Sequence, residues 1–389
     1  MERVLTGNKP GGYDAVLVVG FGGPEKPEDV MPFLDNVLRG RNVPEERKLE
    51  VAENYFLFGG KSPLNDQNRA LIRALQQELK AKGPDLPVYW GNRNWHPLLA
   101  DTLRQMKNDG VRRALAFVTS AYSSYSGCRQ YREDILRAQA EVGHGAPVID
   151  KIRSFYNHPG FVEPMIERTR AAFASLPEER RGAAHLVFTA HSIPVSMART
   201  SAYERQLQET CRLVAEGIGR SDYRLVYQSR SGPPGQPWLE PDIRDYFSEI
   251  AAAEGSRDVV VVPIGFISCH MEVLFDLDTQ AREFAARLGL QMVRAQTVDT
   301  HPKFIAMIRE LILERLDPAT PKRAIGRYGP NHDFCPVDCC PSPQRHGVLS
   351  GAASGRTVLE CDGPETAIPF PGNAGAVRRA DRCRTGSSE

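Results

Sequence analysis

Short apolar runs alternate with longer amphipathic stretches over most of this chain. Residues 14–20, 87–90, 114–119, 185–190, 223–228, 258–263 and 291–295 are rich in Val, Leu, Ile and aromatic side chains. Each stops at, or just before, a Gly, a Pro or a polar residue. Runs of this length that are apolar on both faces predict strands buried in a parallel sheet. Between them, 68–82, 97–108, 131–139, 161–174, 203–216, 243–253, 273–288 and 302–316 carry apolar residues at helical spacing.

Strands that alternate with helices predict crossover units and an α/β fold. Residues 13–23 and 185–194 are both apolar strands that break into a turn, and 114–124 and 259–268 both end in small polar residues. The expectation is two similar doubly wound, Rossmann-like parallel-sheet halves, 1–155 and 156–318, with a cleft between them. A ligand site is expected beyond the carboxyl ends of the strands. Residues 319–340 carry three cysteines. From 341 to 389 Gly, Ser, Pro and Arg dominate and the apolar period ends, which predicts a largely disordered tail.

Composition then narrows the classes. With 389 residues, 41% hydrophobic and 25% charged, the chain has material for a large core. A formal net charge of +1 gives no global field for nucleic acid. No run of 18 apolar residues exists, so no spanning helix is expected. Residues 1–12 are polar and lack a signal-peptide apolar region, so a cytoplasmic enzyme is expected. Peripheral membrane contact stays open, although no amphipathic anchor stands out. Monomer and dimer are not distinguished. The eight cysteines, in a reducing compartment, point to buried thiols or metal ligands rather than disulfides.

The chemistry sits at strand ends. The run 186–190 stops at His191, and 259–267 leads through Cys269 and His270 to Glu272. An imidazole and a carboxylate facing one cleft can bind a divalent cation or move protons. Glu272, Asp276 and Gln280 step by four, which places them on one helical face. Two acids at that spacing repel one another, and a cation in the groove would relieve the repulsion; the plain alternative is a solvated face near a helix N-terminus. The loop 228–241 is stiffened by prolines and carries Trp238, either a core residue or the wall of a flat apolar pocket. Gly20-Phe21-Gly22-Gly23-Pro24 departs from the dinucleotide fingerprint at Pro24, which favours a tight turn or close approach to a flat ligand. Cys335, Cys339 and Cys340 crowd together before the tail. Spacing alone leaves an iron–sulfur cluster, a zinc site and free thiols open, with Cys128, Cys211, Cys269, Cys361 and Cys383 as sources of a fourth ligand.

Together these stretches resemble the ferrochelatase family, which inserts Fe(II) into a porphyrin in haem synthesis. The resemblance rests on Phe21-Gly-Gly-Pro24, Gly59-Gly-Lys-Ser-Pro-Leu-Asn65, Gly91-Asn-Arg-Asn-Trp-His-Pro97, Thr189-Ala-His-Ser-Ile-Pro194, Tyr227-Gln-Ser-Arg-Ser-Gly-Pro-Pro234, Pro237-Trp-Leu-Glu-Pro-Asp242 and the segment 263–278, in order. It implies that His191 and Glu272 are the catalytic pair and hold the Fe2+ substrate, with Asp276 and Asp278 on an acidic path. It implies a 2Fe–2S cluster on Cys128, Cys335, Cys339 and Cys340.

Segments 21–41 and 90–97 look most like actinobacterial-type members, which use coproporphyrin III; protoporphyrin IX is the alternative. Phe21, Arg39, Arg41, Ser62, Tyr125 and Trp238 are the expected porphyrin contacts. Two departures from the family stand out: Cys269 where many members carry Asp, and Phe21, which cannot ligate a metal, where some carry Tyr. A competing class, a porphyrin or haem carrier with an Fe–S sensor tail, predicts binding without insertion.

Overall fold

The computed structural model describes residues 12–40, 43–233, 235–336 and 338–342. The expected tail beyond 342, residues 1–11, Arg41, Cys361 and Cys383 lie outside the described residues.

The strands are β1 (Ala15–Gly20), β2 (Val88–Asn92), β3 (Arg113–Val118), β4 (Val148–Lys151), β5 (His185–His191), β6 (Arg224–Gln228), β7 (Asp258–Val262) and β8 (Gln291–Arg294). They form two parallel four-stranded sheets, ordered β2-β1-β3-β4 and β6-β5-β7-β8. The order is the same in both. In each, the chain leaves a central strand to one side and returns to its other side, so a crevice opens at the carboxyl ends.

The helices are α1 (Val30–Leu38), α2 (Glu45–Phe56), α3 (Leu64–Lys82), α4 (Leu99–Asn108), α5 (Gln130–Val142), α6 (Pro159–Ala174), α7 (Glu178–Arg181), α8 (Val195–Arg199), α9 (Tyr203–Gly217), α10 (Ile243–Ala252), α11 (Met271–Leu274), α12 (Arg282–Arg287) and α13 (Pro302–Leu316). None is long and apolar enough to cross a membrane.

Alternation along the strands assigns side chains to separate cores. In β1, Val16 and Val18 enter a large core, while Ala15, Leu17 and Val19 face a second one with α4 and α5. In β7, Val260 and Val262 enter the same large core, while Val259 and Val261 pack toward α10 and α12. The large core therefore runs from one sheet to the other. Phe117, Phe155, Phe161 and Phe304 meet in it, with ring centroids 5.4 Å apart for Phe117–Phe155 and 5.8 Å for Phe155–Phe304. Helix α13 packs on both α3 and α6, which closes the chain over this junction. A buried ion pair sits beside it: Arg153 Nε lies 2.7 Å from Glu314 Oε2, and both side chains are 1% exposed.

The structure adds elements that periodicity does not predict. Helices α1 and α2 form their own apolar cluster of Val30, Phe33, Leu34 and Ala52, flanked by Phe21, Tyr55 and Trp95. Strand β4 is a short edge strand, exposed or half-buried throughout. The predicted helix 273–288 is broken: α11 gives way to a π-helical turn, Asp276–Ala281, before α12. Such turns recur at functional sites.

Candidate active site

His191 ends β5 opposite Gln228, the last residue of β6. Its Nδ1 lies 2.5 Å from the Ser192 carbonyl oxygen. A carbonyl only accepts, so Nδ1 carries the proton of this hydrogen bond and Nε2 is left outside it. The Tyr203 hydroxyl donates to the His191 carbonyl at 3.0 Å, fixing the strand end from below. Gly265 lets the segment after β7 come close to this strand, because a Cβ there would sit 2.7 Å from the Ala190 Cα.

Glu272 lies in the first turn of α11, which follows β7. Its Oε2 is 2.5 Å from His270 Nδ1, and its side chain is 40% exposed. Burial works against its charge, but His270 and then His191 outweigh burial and hold the carboxyl at about 2. A protonated His191 thus adds, after His270, to what lowers the Glu272 carboxyl.

Asp276 behaves in the opposite way. Burial pushes its carboxyl up to about 7; the Ser229 hydroxyl, which donates to it, pulls it down, and the Glu272 charge pushes it further up. Asp276 is thus an acid that exchanges its proton near neutrality. Asp278 points elsewhere: Arg294 grips it with Nε 2.6 Å from Oδ1 and Nη2 2.7 Å from Oδ2. Gln280 is exposed. Of the expected acids, Asp276 is near enough to feel the Glu272 charge, while Asp278 is held by Arg294.

The expected porphyrin contacts separate in the same way. The backbone of Trp238 bridges to Pro194, so its loop runs along the His191 segment. Phe21 packs edge-on to Phe33 at 6.2 Å beneath α1, with the Arg93 guanidinium 5.6 Å from its ring. Gly22 makes the turn beyond it at φ +86°. Arg39 is exposed at the end of α1 and bonds Asn36. Ser62 is 3% exposed and engaged in its own turn, donating its N–H to the Pro24 carbonyl at 2.8 Å and accepting from Leu64 N–H at 3.3 Å. Tyr125 donates to Glu133 at 3.0 Å and also meets Ser342.

Sequence reasoning passed over Tyr55 and Gln228. Burial, then Glu272 and Asp276, raise the Tyr55 phenol, which places α2 over the acid pair. The Gln228 amide donates to the Glu272 carbonyl. Tyr55 belongs to a helix whose weak amphipathic pattern went unread, and Gln228 resembles any polar residue that ends a strand.

The cysteines form a second site. Cys128 sits in a π-helical turn, Tyr125–Arg129, and lines a small cavity with Cys335, Cys339, Arg129, Arg132 and Lys151. A hydrogen bond from Cys335 draws the Cys128 thiol down to about 5 against the effect of burial, and correspondingly pushes Cys335 up. Cys339 and Cys340 sulfurs are 3.7 Å apart. Burial, then Cys339 and Cys128, push the Cys340 thiol up to about 12. Arg129 and Arg132 donate to the carbonyls of Cys339 and Cys335 at 3.2 and 3.4 Å. Cys211 is a fully buried core thiol, and Cys269 packs beside Thr297.

Against known proteins, residues 13–316 match the family model described as Ferrochelatase. A "Ferrochelatase" of Rhodopirellula baltica is 55% identical over 340 residues, 87% of this chain and 97% of that protein. A "Coproporphyrin III ferrochelatase" of Frankia alni is 52% identical and covers 90% of this chain and 94% of its own length. One from Streptomyces coelicolor is also 52% identical, covering 88% and 97%.

Proposed function

The chain belongs to the ferrochelatase family, enzymes that insert Fe(II) into a porphyrin in haem synthesis, and we propose that it metallates coproporphyrin III at His191 and Glu272. What supports this reading is that His191 ends β5 while Glu272 follows the neighbouring strand β7, so both belong to the carboxyl edge of one sheet, and that His270 and His191 keep Glu272 charged. The halves 1–155 and 156–318 are read as the two walls of the enzyme, supported by their separate but like-ordered sheets.

Metallation must remove two pyrrole protons, strip water from Fe(II) and bend a rigid ring. His191 Nε2 has the lone pair to take a pyrrole proton or to hold the iron. Glu272, ionised at any working pH, attracts the cation and compensates a protonated His191. Asp276, poised near 7, receives a proton from the pair and returns it to water. Phe21, Tyr55 and Trp238 supply flat apolar surface near the site. Gripping the ring along its edges converts remote binding energy into distortion at the centre. The preference for coproporphyrin III rests on the relatives named for it, and Arg39 is an exposed cation available to one of its propionates.

We read the cysteine site as a 2Fe–2S site on Cys128, Cys335, Cys339 and Cys340. The donor set fits: the thiols fall into two neighbouring pairs, Cys128 with Cys335 and Cys339 with Cys340, matching two thiolates for each iron. Arg129, Arg132 and Lys151 line the cavity and offset thiolate charge. Metal insertion transfers no net electrons, so a cluster there serves structure or sensing.

The test is an anaerobic optical assay with Fe(II) and each porphyrin separately. Faster loss of free-base bands with coproporphyrin III supports the proposal; faster loss with protoporphyrin IX reassigns the substrate, and binding of both without metallation supports a carrier.

A further inference from the structure

His332 lies just upstream of the cysteine run, exposed, in a segment without regular structure. The fold brings one of its ring nitrogens and the sulfurs of Cys335 and Cys339 within 4.8 Å of one another. Cys128 hydrogen-bonds Cys335 and lines the same cavity as Cys335 and Cys339. Four donors therefore meet here, the number a tetrahedral ion needs. Donors on one tetrahedral Zn(II), with bonds of about 2.0–2.3 Å, stand roughly 3.3–3.8 Å apart. The His332 triad is within about an ångström of that spacing.

We propose that Cys128, His332, Cys335 and Cys339 form a second-mode site that binds a single zinc-type divalent ion. Thiolates and an imidazole select borderline-soft ions of this kind. Cys340 is the thiol this mode leaves out. It is 5% exposed and does not line the cavity that Cys128 shares with Cys335 and Cys339. Two ligand sets thus share three thiols: Cys340 completes one and His332 the other. The exposed position of His332 puts it on the solvent side, where an arriving ion is met first. Arg129, Arg132 and Lys151 offset the excess charge of three thiolates around a divalent ion. The inference goes beyond the diiron reading and does not require it, because it concerns protein freed of iron and sulfide.

The experiment uses the full chain, stripped anaerobically of iron and sulfide, with Co(II) as the probe. The thiolate-to-cobalt charge-transfer bands report the cysteine site alone, so cobalt held by His191 and Glu272 does not interfere. The expected result is one thiolate-bound Co(II) per chain with tetrahedral ligand-field bands. His332→Ala should shift those bands and weaken binding at least tenfold, while Cys340→Ser should leave both nearly unchanged. Unchanged bands and affinity in His332→Ala would overturn the proposal, as would loss of the charge-transfer bands in Cys340→Ser. Melting curves of the metal-free variants check that both fold; because His332 is exposed, its variant should melt with the parent.

Discussion

Gln228 ties the segments of His191 and Glu272, the proposed catalytic pair, together: its side-chain amide donates to the main-chain carbonyl of Glu272. Its own carbonyl accepts the N–H of Ser192, next to His191, at 2.8 Å. One residue, 1% exposed, therefore fixes the end of β5 and the start of α11 at once. Gln228→Leu should lower kcat by about 10–100-fold with little change in KM, since misplacing catalytic groups by an ångström costs about that much. Its melting temperature should fall only slightly, because one net hydrogen bond contributes about 1 kcal/mol. Steady-state kinetics check this, and an unchanged kcat would remove Gln228 from the account.

Asp276 sets a pH dependence. Burial holds its folded-state carboxyl up at about 7, so it gains a proton as pH falls through neutrality and no longer accepts one. The rate of metallation should rise with pH through a limb near 7, and Asp276→Asn should remove that limb while lowering the plateau. A pH–rate profile that keeps the same limb in Asp276→Asn would assign it to another group.

His158 makes stability pH-dependent. Burial, then Arg153 and Arg323, hold its imidazole down at about 3, although Glu310 stands 3.4 Å from Nε2. The unfolded chain takes up this proton near pH 6.5 and the folded chain does not. Stability is therefore greatest above about pH 6.5 and falls by roughly 1.4 kcal/mol per pH unit on acidification toward the folded value. His158→Asn keeps an acceptor for the Gly160 N–H, which His158 Nδ1 caps at 3.0 Å, without titrating. Urea unfolding at pH 7, 6 and 5 should show a flatter dependence in the variant.

Arg153 and Glu314 are a buried pair whose partners cannot be removed singly at low cost. Glu314→Leu should destabilise by about 3–5 kcal/mol, because it strands the guanidinium. The double variant Arg153→Met with Glu314→Leu should recover most of that loss. Equal losses in the single and double variants would show that packing, not charge, dominates there.

The parallel sheets were legible because β1, β3, β5 and β7 are buried on both faces and read as unbroken apolar runs. Strand β4 was not, since an exposed edge strand needs no such run. The sequence places His191 at the end of a strand run and Glu272 in the segment after another, and the structure puts them at the end of β5 and in α11, which follows β7. Asp278 shows the limit. The resemblance put it on an acidic path with Asp276, but no motif tells of Arg294, which comes from β8 and claims it. The π-turn at Asp276–Ala281 is equally hidden, since its single widened turn leaves no period in the sequence. Tyr55 and Gln228 owe their places to long-range packing, which no local pattern records.

The most direct test of the central claim compares wild type with His191→Ala, measuring both porphyrin binding and the rate at which Fe(II) converts free-base to metalloporphyrin bands. The account predicts that the variant binds coproporphyrin III with similar affinity and loses at least 100-fold in metallation, a size in keeping with the loss of a proton acceptor. Turnover by His191→Ala at the wild-type rate would contradict it.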